Sequence, residues 1–398
     1  MSTPPDTAVN LIDNMLDQGL TRGASDIHFE SGKDVFRVRF RIDGSLHIAA
    51  TPAVQLRDAI VSRLKVLARM DIAEKRLPQD GRIQYRYKSE TIDLRVSSLP
   101  TVHGEKIVVR ILNFNRVRLD LHDLGYEADD QIKLRQAIQR PHGLILMTGP
   151  TGSGKTSSLY CCLDLINRAD INLATIEDPS EIQLAGANQV SINEKAGLTF
   201  ASALRALLRQ DPDVIMIGEI RDVETAGIAI QASQTGHLVF STLHTNDAPG
   251  TLARLRHMGI PTYQIAASLT MVTAQRLVRR LCAQCKVPLS PQVLTDFIGQ
   301  LTTLDTQTIP SHMLTSPTVY KPVGCTACDN GYRGRIGLFQ VMPIGNTMQG
   351  LIIRDADAQT LANHATREGV RTLRQAGWLK VLQGLTAIEE VMAFTEHG

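Results

Sequence analysis

Apolar positions change period several times along the first hundred residues, and each change predicts an element. Residues 8–19 carry Val9, Ile12, Met15 and Leu16 at helical spacing, and 24–30 reads as a strand. Over 35–42 apolar and charged residues alternate, which puts Arg37, Arg39 and Arg41 on one face, and Asp43-Gly44 turns the chain into a second strand at 46–49. A helix over 54–70, a turn at 78–81 and strands over 82–87, 91–98 and 106–112 complete a small α+β domain spanning 1–113. Residues 114–124 have mixed charge and no period, and read as a linker.

The pattern then becomes that of an α/β domain over 125–398. A helix at 132–138 precedes the apolar run 144–147, a buried strand, and a helix over 157–166 follows it. Strands at 172–176, 213–217 and 238–242 then alternate with helices at 200–209, 223–234 and 248–258. Such alternation implies a largely parallel sheet covered on both faces. A C-terminal helical part over 338–398 follows Arg333-Gly-Arg-Ile-Gly337, with helices at 350–353, 358–367, 373–383 and 388–392; it suits subunit contacts, and Trp378 suits a core position.

Composition narrows the class. The chain has 398 residues, 43% hydrophobic and 21% charged, as soluble globular proteins do. No apolar run approaches the ~20 residues of a membrane span, and the start, Met1-Ser-Thr-Pro-Pro-Asp, lacks the parts of a signal peptide, so a cytoplasmic location is expected. A net charge of +2 and 4% aromatics give little footing for nucleic acid. Six cysteines in such a chain read as metal ligands or core rather than disulfides.

The chemistry centres on Gly149-Pro150-Thr151-Gly152-Ser153-Gly154-Lys155-Thr156, which meets every fixed position of the phosphate-binding P-loop between a strand and a helix. Backbone N–H groups of such a loop surround phosphates, Lys155 reaches the β- and γ-phosphates of ATP, and Thr156 ligates Mg²⁺. Hydrolysis also needs acids at strand ends. The run 214–217 leads to Glu219, in the manner of a Walker B element, and 175–181 ends in Glu177, Asp178 and Glu181, with Pro179 stopping the strand. His237 and His244 bracket the strand at 238–242, among hydroxyl and amide groups from Ser241 to Asn246 able to sense a γ-phosphate.

Two C-x-x-C pairs, Cys282/Cys285 and Cys325/Cys328, can each place two thiolates on one structural Zn²⁺, leaving no open position for catalysis. The stretch between them is longer than usual for zinc ribbons, which loop closure tolerates. Cys161 and Cys162, on the helix after the P-loop, read as core.

Taken with Gly23-Ala-Ser-Asp-Ile-His28, Arg39-Phe-Arg-Ile-Asp-Gly44, Pro78-Gln-Asp-Gly-Arg82, Gly218-Glu-Ile-Arg-Asp222, Gly236-His-Leu238 and Ser241-Thr-Leu-His-Thr-Asn246, these motifs resemble the secretion ATPases of type II secretion and type IV pilus assembly, the GspE/PilB type, over nearly the whole chain. The resemblance implies an N-terminal PAS-like domain, a RecA-like ATPase domain and a hexamer with nucleotide between the domains. It implies Glu181 as the water-activating acid with Glu177 as a second, Glu219 as the Walker B acid, a histidine box at His237 and His244, and N-terminal arginines, Arg39, Arg41 and Arg95, sent towards phosphate. The tetracysteine element matches the assembly members rather than the retraction members. Ser180 stands where the family usually carries an apolar residue, and members often carry a further N-terminal domain that docks on the membrane platform. The implied function is a cytoplasmic motor at the inner membrane, working on a platform protein to assemble pseudopili or pili. The rival expectations are a RecA-like helicase or conjugation motor and a nucleotide-binding scaffold that does not turn over.

Overall fold

Strands that alternate apolar and polar residues must bury one face and expose the other, and the first unit of the chain follows that rule. In this computed structural model, which describes residues 8–112, 120–304, 309, 313–314 and 317–395, the chain forms two units, Met1–Val117 and Arg118–Gly398. In the first, β1 (Asp26–Ser31), β2 (Phe36–Ile42), β3 (Ser45–Ala50), β4 (Gln79–Tyr87), β5 (Glu90–Thr101) and β6 (Gly104–Leu112) pair antiparallel in the order β3-β2-β1-β6-β5-β4. The helices Ala8–Thr21 and Arg57–Leu67 cover the apolar face through Ile12, Leu16, Ile60 and Leu64 against Ile27, Phe29 and Val109. Asp43 and Gly44 take φ values of 49° and 91°, the left-handed pair that a two-residue hairpin turn requires. The turn expected at 78–81 is instead the start of β4. Gly81 makes this possible, since a Cβ there would sit 2.3 Å from the carbonyl oxygen of Ala68.

The second unit holds a seven-stranded sheet. Its strands are β7 (Gly143–Thr148), β8 (Leu173–Glu177), β9 (Asn188–Ser191), β10 (Val214–Ile217), β11 (Leu238–Leu243), β12 (Leu269–Leu281) and, after the short β13 (Val287–Pro288) and β14 (Tyr320–Lys321), β15 (Tyr332–Pro343). The order is β15-β12-β7-β11-β10-β8-β9; all are parallel except β15, which runs antiparallel to β12. β7, β8, β10 and β11 are buried along their whole length, which accounts for their unbroken apolar runs. The helices Lys155–Ile166, Phe200–Leu207, Val223–Gln234 and Ala248–His257 cover the two faces.

Three further expectations change. The helical part expected over 338–398 begins with a strand, since β15 runs to Pro343 before the helix Asn346–Ile353. β12 has no sequence counterpart because it fits no single period: every residue through Gln275 is buried, and beyond it only Val278 and Leu281 are. The expected linker lies partly outside the described residues. Its last four residues, Leu121–Leu124, form a helical turn capped by Asp120, whose side chain accepts from His122 N, and Leu121 is buried.

Candidate nucleotide site and tetracysteine centre

β7 delivers the chain to the P-loop at the C-terminal edge of the sheet, where parallel α/β folds place their ligands. Gly149, Gly152 and Gly154 have φ values of 147°, 78° and 87°, so the loop folds back on itself as only glycines permit cheaply. The helix Lys155–Ile166 starts without any side-chain cap, which leaves its first amides turned to the loop. Lys155 Nζ donates to the carbonyls of Gly149 (2.8 Å) and Pro150 (3.0 Å). Ser153 Oγ is buried without a partner, and Thr156 stands at the second position of the helix. An N-terminus with open amides, a lysine and a hydroxyl is the donor set a Mg²⁺-nucleoside phosphate needs, so the residues fit that ligand.

Burial lowers the Lys155 pKa to about 8 from its ordinary 10.5, although Glu219 works against the shift. A lysine with a depressed pKa gives the folded, nucleotide-free chain stability as pH rises from about 8 to 10.5, because the unfolded chain holds the proton longer. Bound phosphate restores the ammonium, so binding takes up a proton. Nucleotide affinity should be flat below pH 8 and fall by up to about tenfold per unit above it, with calorimetry in buffers of different ionisation enthalpy reporting the uptake.

The acids occupy the ends of β8 and β10. β11 lies between β7 and β10, so Glu219 belongs to the second strand from the P-loop strand, a spacing that only the strand order reveals. Arg221 Nη2 bridges Glu219 Oε1 (2.5 Å) and Asp178 Oδ2 (3.3 Å), and His244 Nε2 lies 3.6 Å from Glu219 Oε2. Glu177 is buried rather than presented to the site. Tyr160 Oη, from the helix after the P-loop, lies 2.8 Å from both its oxygens, Thr175 Oγ1 donates at 2.6 Å, and Gln189 Nε2 stands at 3.3 Å. It thereby ties the acidic loop to the P-loop helix. Glu181 sits half-buried in the loop between β8 and β9, which Gln189 pins through Ser180 Oγ (2.9 Å) and Ile182 O (2.8 Å).

The two histidines do not share this site within the chain. Leu238 pairs with Gly143 and Leu243 with Thr148, so His244 stands at the P-loop edge while His237 is at the opposite end, with Nδ1 3.0 Å from the carbonyl of Ala232. Two hydroxyls expected to sense phosphate are also engaged: Ser241 donates to Ile217 O (2.8 Å) and Thr242 to Gly218 O (2.7 Å), fixing β11 against the end of β10. Gln275 and Arg276 of β12 also border the P-loop; no motif pointed to them.

In the first unit, Arg41 and Arg95 fall in one cross-strand row, Arg82-Arg95-Arg110-Asp26-Arg41, on the exposed face of the sheet. Asp26 accepts from Arg110 Nε at 2.8 Å and lies 4.0 Å from Arg41. Arg39 belongs to the next row, opposite His28, and Glu30 from the row beyond holds it at 2.7 Å together with Lys106 at 3.1 Å. Like charges placed directly opposite destabilise a sheet, and within this row Asp26 is the one acid among four arginines.

The four cysteines meet where β12 ends and β15 begins. Leu281 pairs with Tyr332, Cys282 N donates to Gly331 O at 2.9 Å, and β13–β14 closes the other side. The Sγ atoms all lie within 4.8 Å of one another, with Cys282–Cys325 at 3.9 Å, Cys285–Cys328 at 3.6 Å and Cys325–Cys328 at 3.5 Å. A tetrahedral ion with bonds of about 2.3 Å to sulfur has edges of about 3.8 Å, so the thiols fit such an ion. Cys161 and Cys162 are core, fully buried.

A parallel α/β sheet with a P-loop, a strand-end acid beside it and a histidine facing that acid define a nucleotide-binding P-loop protein of the ATPase class. The chain belongs to the family of type II/IV secretion system proteins, whose pattern it matches over residues 5–393. It is 49% identical over 98% of its length to the type IV pilus assembly ATPase PilB of Acinetobacter baylyi and spans 66% of that protein. It is 46% identical to the type II secretion system ATPase E of Vibrio cholerae, over 98% of this chain and 75% of that one. Among solved structures, the ATPase DotB of Legionella pneumophila shares the fold with a TM-score of 0.71 at 19% identity, covering 100% of this chain and 98% of its own. The pilus retraction motor PilT with bound ADP gives 0.64 at 23%, covering 98% and 97%. The chain spans about two thirds of the length of the pilus-assembly relatives it matches. No described helix is long and apolar enough to cross a membrane.

Proposed function

We propose that this chain is the ATP-hydrolysing part of a motor that assembles pili or pseudopili. The observation that carries this is the convergence of Lys155, Thr156, Glu219 and His244 on one edge of one sheet, within a family whose relatives are named for that work. Lys155 binds the phosphates, and Thr156 with Glu219 would hold Mg²⁺, which neutralises charge on them. His244 faces the Glu219 carboxylate and fixes its direction. Glu181, on the loop that Gln189 pins, orients and deprotonates the attacking water. Arg41 and Arg95 supply positive charge from the N-terminal unit, as does Arg39 if Glu30 releases it, and closure of a hexamer brings them to phosphate. Cys282, Cys285, Cys325 and Cys328 hold a structural Zn²⁺. Work passes to an inner-membrane platform protein, on which the motor sits peripherally from the cytoplasmic side.

Glu181→Gln tests the reading. In the hexamer fraction of the zinc-loaded protein it should lower steady-state ATPase by about 10²- to 10⁴-fold while nucleotide still binds. Hydrolysis that persists in Glu181→Gln removes the assigned base, and stimulation by DNA would redirect the reading to a nucleic-acid motor. Absence of turnover in every wild-type fraction, with or without platform-protein cytoplasmic domains, would favour a scaffold.

A further inference from the structure

β12 flanks the P-loop strand on the side away from β11, and it continues past the point where β7 ends. Ala274 pairs with Thr148, so Gln275 and Arg276 run alongside Gly149 and Pro150. Gln275 is buried and closes on the loop itself. Its Nε2 donates to the carbonyl of Ser153 at 2.7 Å, and a Cβ on Gly149 would lie 2.5 Å from its own carbonyl oxygen.

Arg276 reaches further. Its Nη1 donates to Gln275 O at 3.1 Å and its Nη2 to Asn246 Oδ1 at 3.2 Å. Asn246 lies three residues beyond the end of β11, two after His244. Because β12 and β11 sit on opposite sides of β7, each about 4.8 Å away, the Arg276 side chain crosses the C-terminal end of the strand that carries the P-loop. The crossing leads towards the side where His244 faces Glu219.

Charge around the crossing is unbalanced. Lys155 and Arg276 are both half-buried, and each donates only to carbonyl or carboxamide oxygens. The acids nearby offset this charge only through space, Glu219 that of Lys155 and Asp247 that of Arg276, while their hydrogen bonds go elsewhere, Glu219 to Arg221 and Asp247 to Gly250 N at 2.6 Å as the cap of the next helix. Two cations partly withdrawn from water and facing neutral oxygens call for an anion between them.

We propose that Arg276 is a second phosphate ligand within the same chain, binding the terminal phosphate of a nucleoside triphosphate, and that Asn246 holds its guanidinium until that phosphate arrives. The inference rests on the reading of the P-loop as the nucleotide site. Exchange of Asn246 for phosphate then couples the nucleotide's third phosphate to the loop that carries His244. A diphosphate, ending short of the guanidinium, leaves the Arg276–Asn246 bond in place.

The test compares Mg²⁺-bound non-hydrolysable ATP analogue with Mg²⁺-ADP on the full chain. Arg276→Ala should weaken the analogue by about tenfold or more, the loss expected for a charge-assisted hydrogen bond, and ADP by less than about threefold. Arg276→Lys should recover part of the difference, and Arg276→Gln repeats the reading should the alanine variant fail to fold. Equal losses for both nucleotides, or none for either, would overturn the assignment. Lys155→Ala separates the two layers: if it binds both nucleotides as the wild type does, the P-loop reading has failed and the Arg276 assignment with it.

Discussion

Lys155→Ala will abolish ATP hydrolysis without unfolding the chain. Lys155 is the first residue of the helix Lys155–Ile166, a cation at the positive end of a helix dipole and partly withdrawn from water. Both placements disfavour its charge in the nucleotide-free protein. The two loop carbonyls it serves, those of Gly149 and Pro150, belong to a P-loop whose Pro150 and Thr151 are exposed, so water can replace the ammonium there. Melting temperature should therefore stay level or rise slightly. In the transition state the same ammonium meets the charge on the β- and γ-phosphates, and losing such a donor costs on the order of 10³-fold in rate, about 4 kcal/mol. Thermal unfolding and steady-state turnover, measured on one preparation, decide the matter. Retained turnover would remove the P-loop from the chemistry, and a collapsed melting temperature would show that Lys155 holds the loop together instead.

The P-loop was legible because it is local: eight consecutive residues, read with a strand before and a helix after, contain the geometry that the chemistry needs. Glu219 and the box from Glu177 to Glu181 were legible as acids at the ends of apolar runs. Their division of labour was not. That Glu177 is buried under Tyr160, Thr175 and Gln189 depends on how β9 and the P-loop helix pack around it, partners up to 17 residues away in sequence. The separation of His237 from His244 was hidden for a related reason. A motif shows that two histidines flank a strand, but a buried six-residue strand is about 20 Å long and separates its ends, and parallel pairing with β7 places only His244 at the loop.

The fold shows the same division. Elements with one period throughout, such as Val223–Gln234 and β11, were readable to within a residue or so. β12 was not, because burial on both faces gives way to an end where only Val278 and Leu281 are buried, and neither template fits the whole. Its absence from the sequence reading hid both Gln275 and Arg276, which matter only because strand order puts β12 beside β7. The tetracysteine group could be found from spacing alone, whereas its position at the end of the β12–β15 pair could not, since it requires Leu281 to face Tyr332 across 51 residues of sequence (332 − 281).

Removal of the metal proposed for the four cysteines should disorder the tetracysteine element while the nucleotide site survives. Besides the thiols, the segment from Cys282 to Cys328 is closed by the short β13–β14 ladder and a bond from Leu289 N to Val319 O at 2.8 Å, and Lys286 Nζ ties it to Gly384 O at 2.6 Å. Binding of Zn²⁺ to four thiolates supplies about 10–16 kcal/mol in small domains, far more than two paired residues give. The segment also carries the helix Pro291–Leu304, whose Phe297 meets Trp378 edge-on at 5.4 Å between ring centroids. Trp378 is the single tryptophan of the chain and is buried against Phe297, Leu301 and Val319, so its emission reports on this packing. Chelation, or Cys285→Ser, should release one Zn²⁺ per chain, shift that emission to the red and leave Mg²⁺-nucleotide affinity within about threefold, because Lys155, at the start of its helix, and Glu219, just past β10, both lie outside the segment. An unchanged emission after complete metal loss would mean that the helix docks without the ion. Simultaneous loss of nucleotide binding would mean that β12, which borders both centres, carries the disorder back to the P-loop.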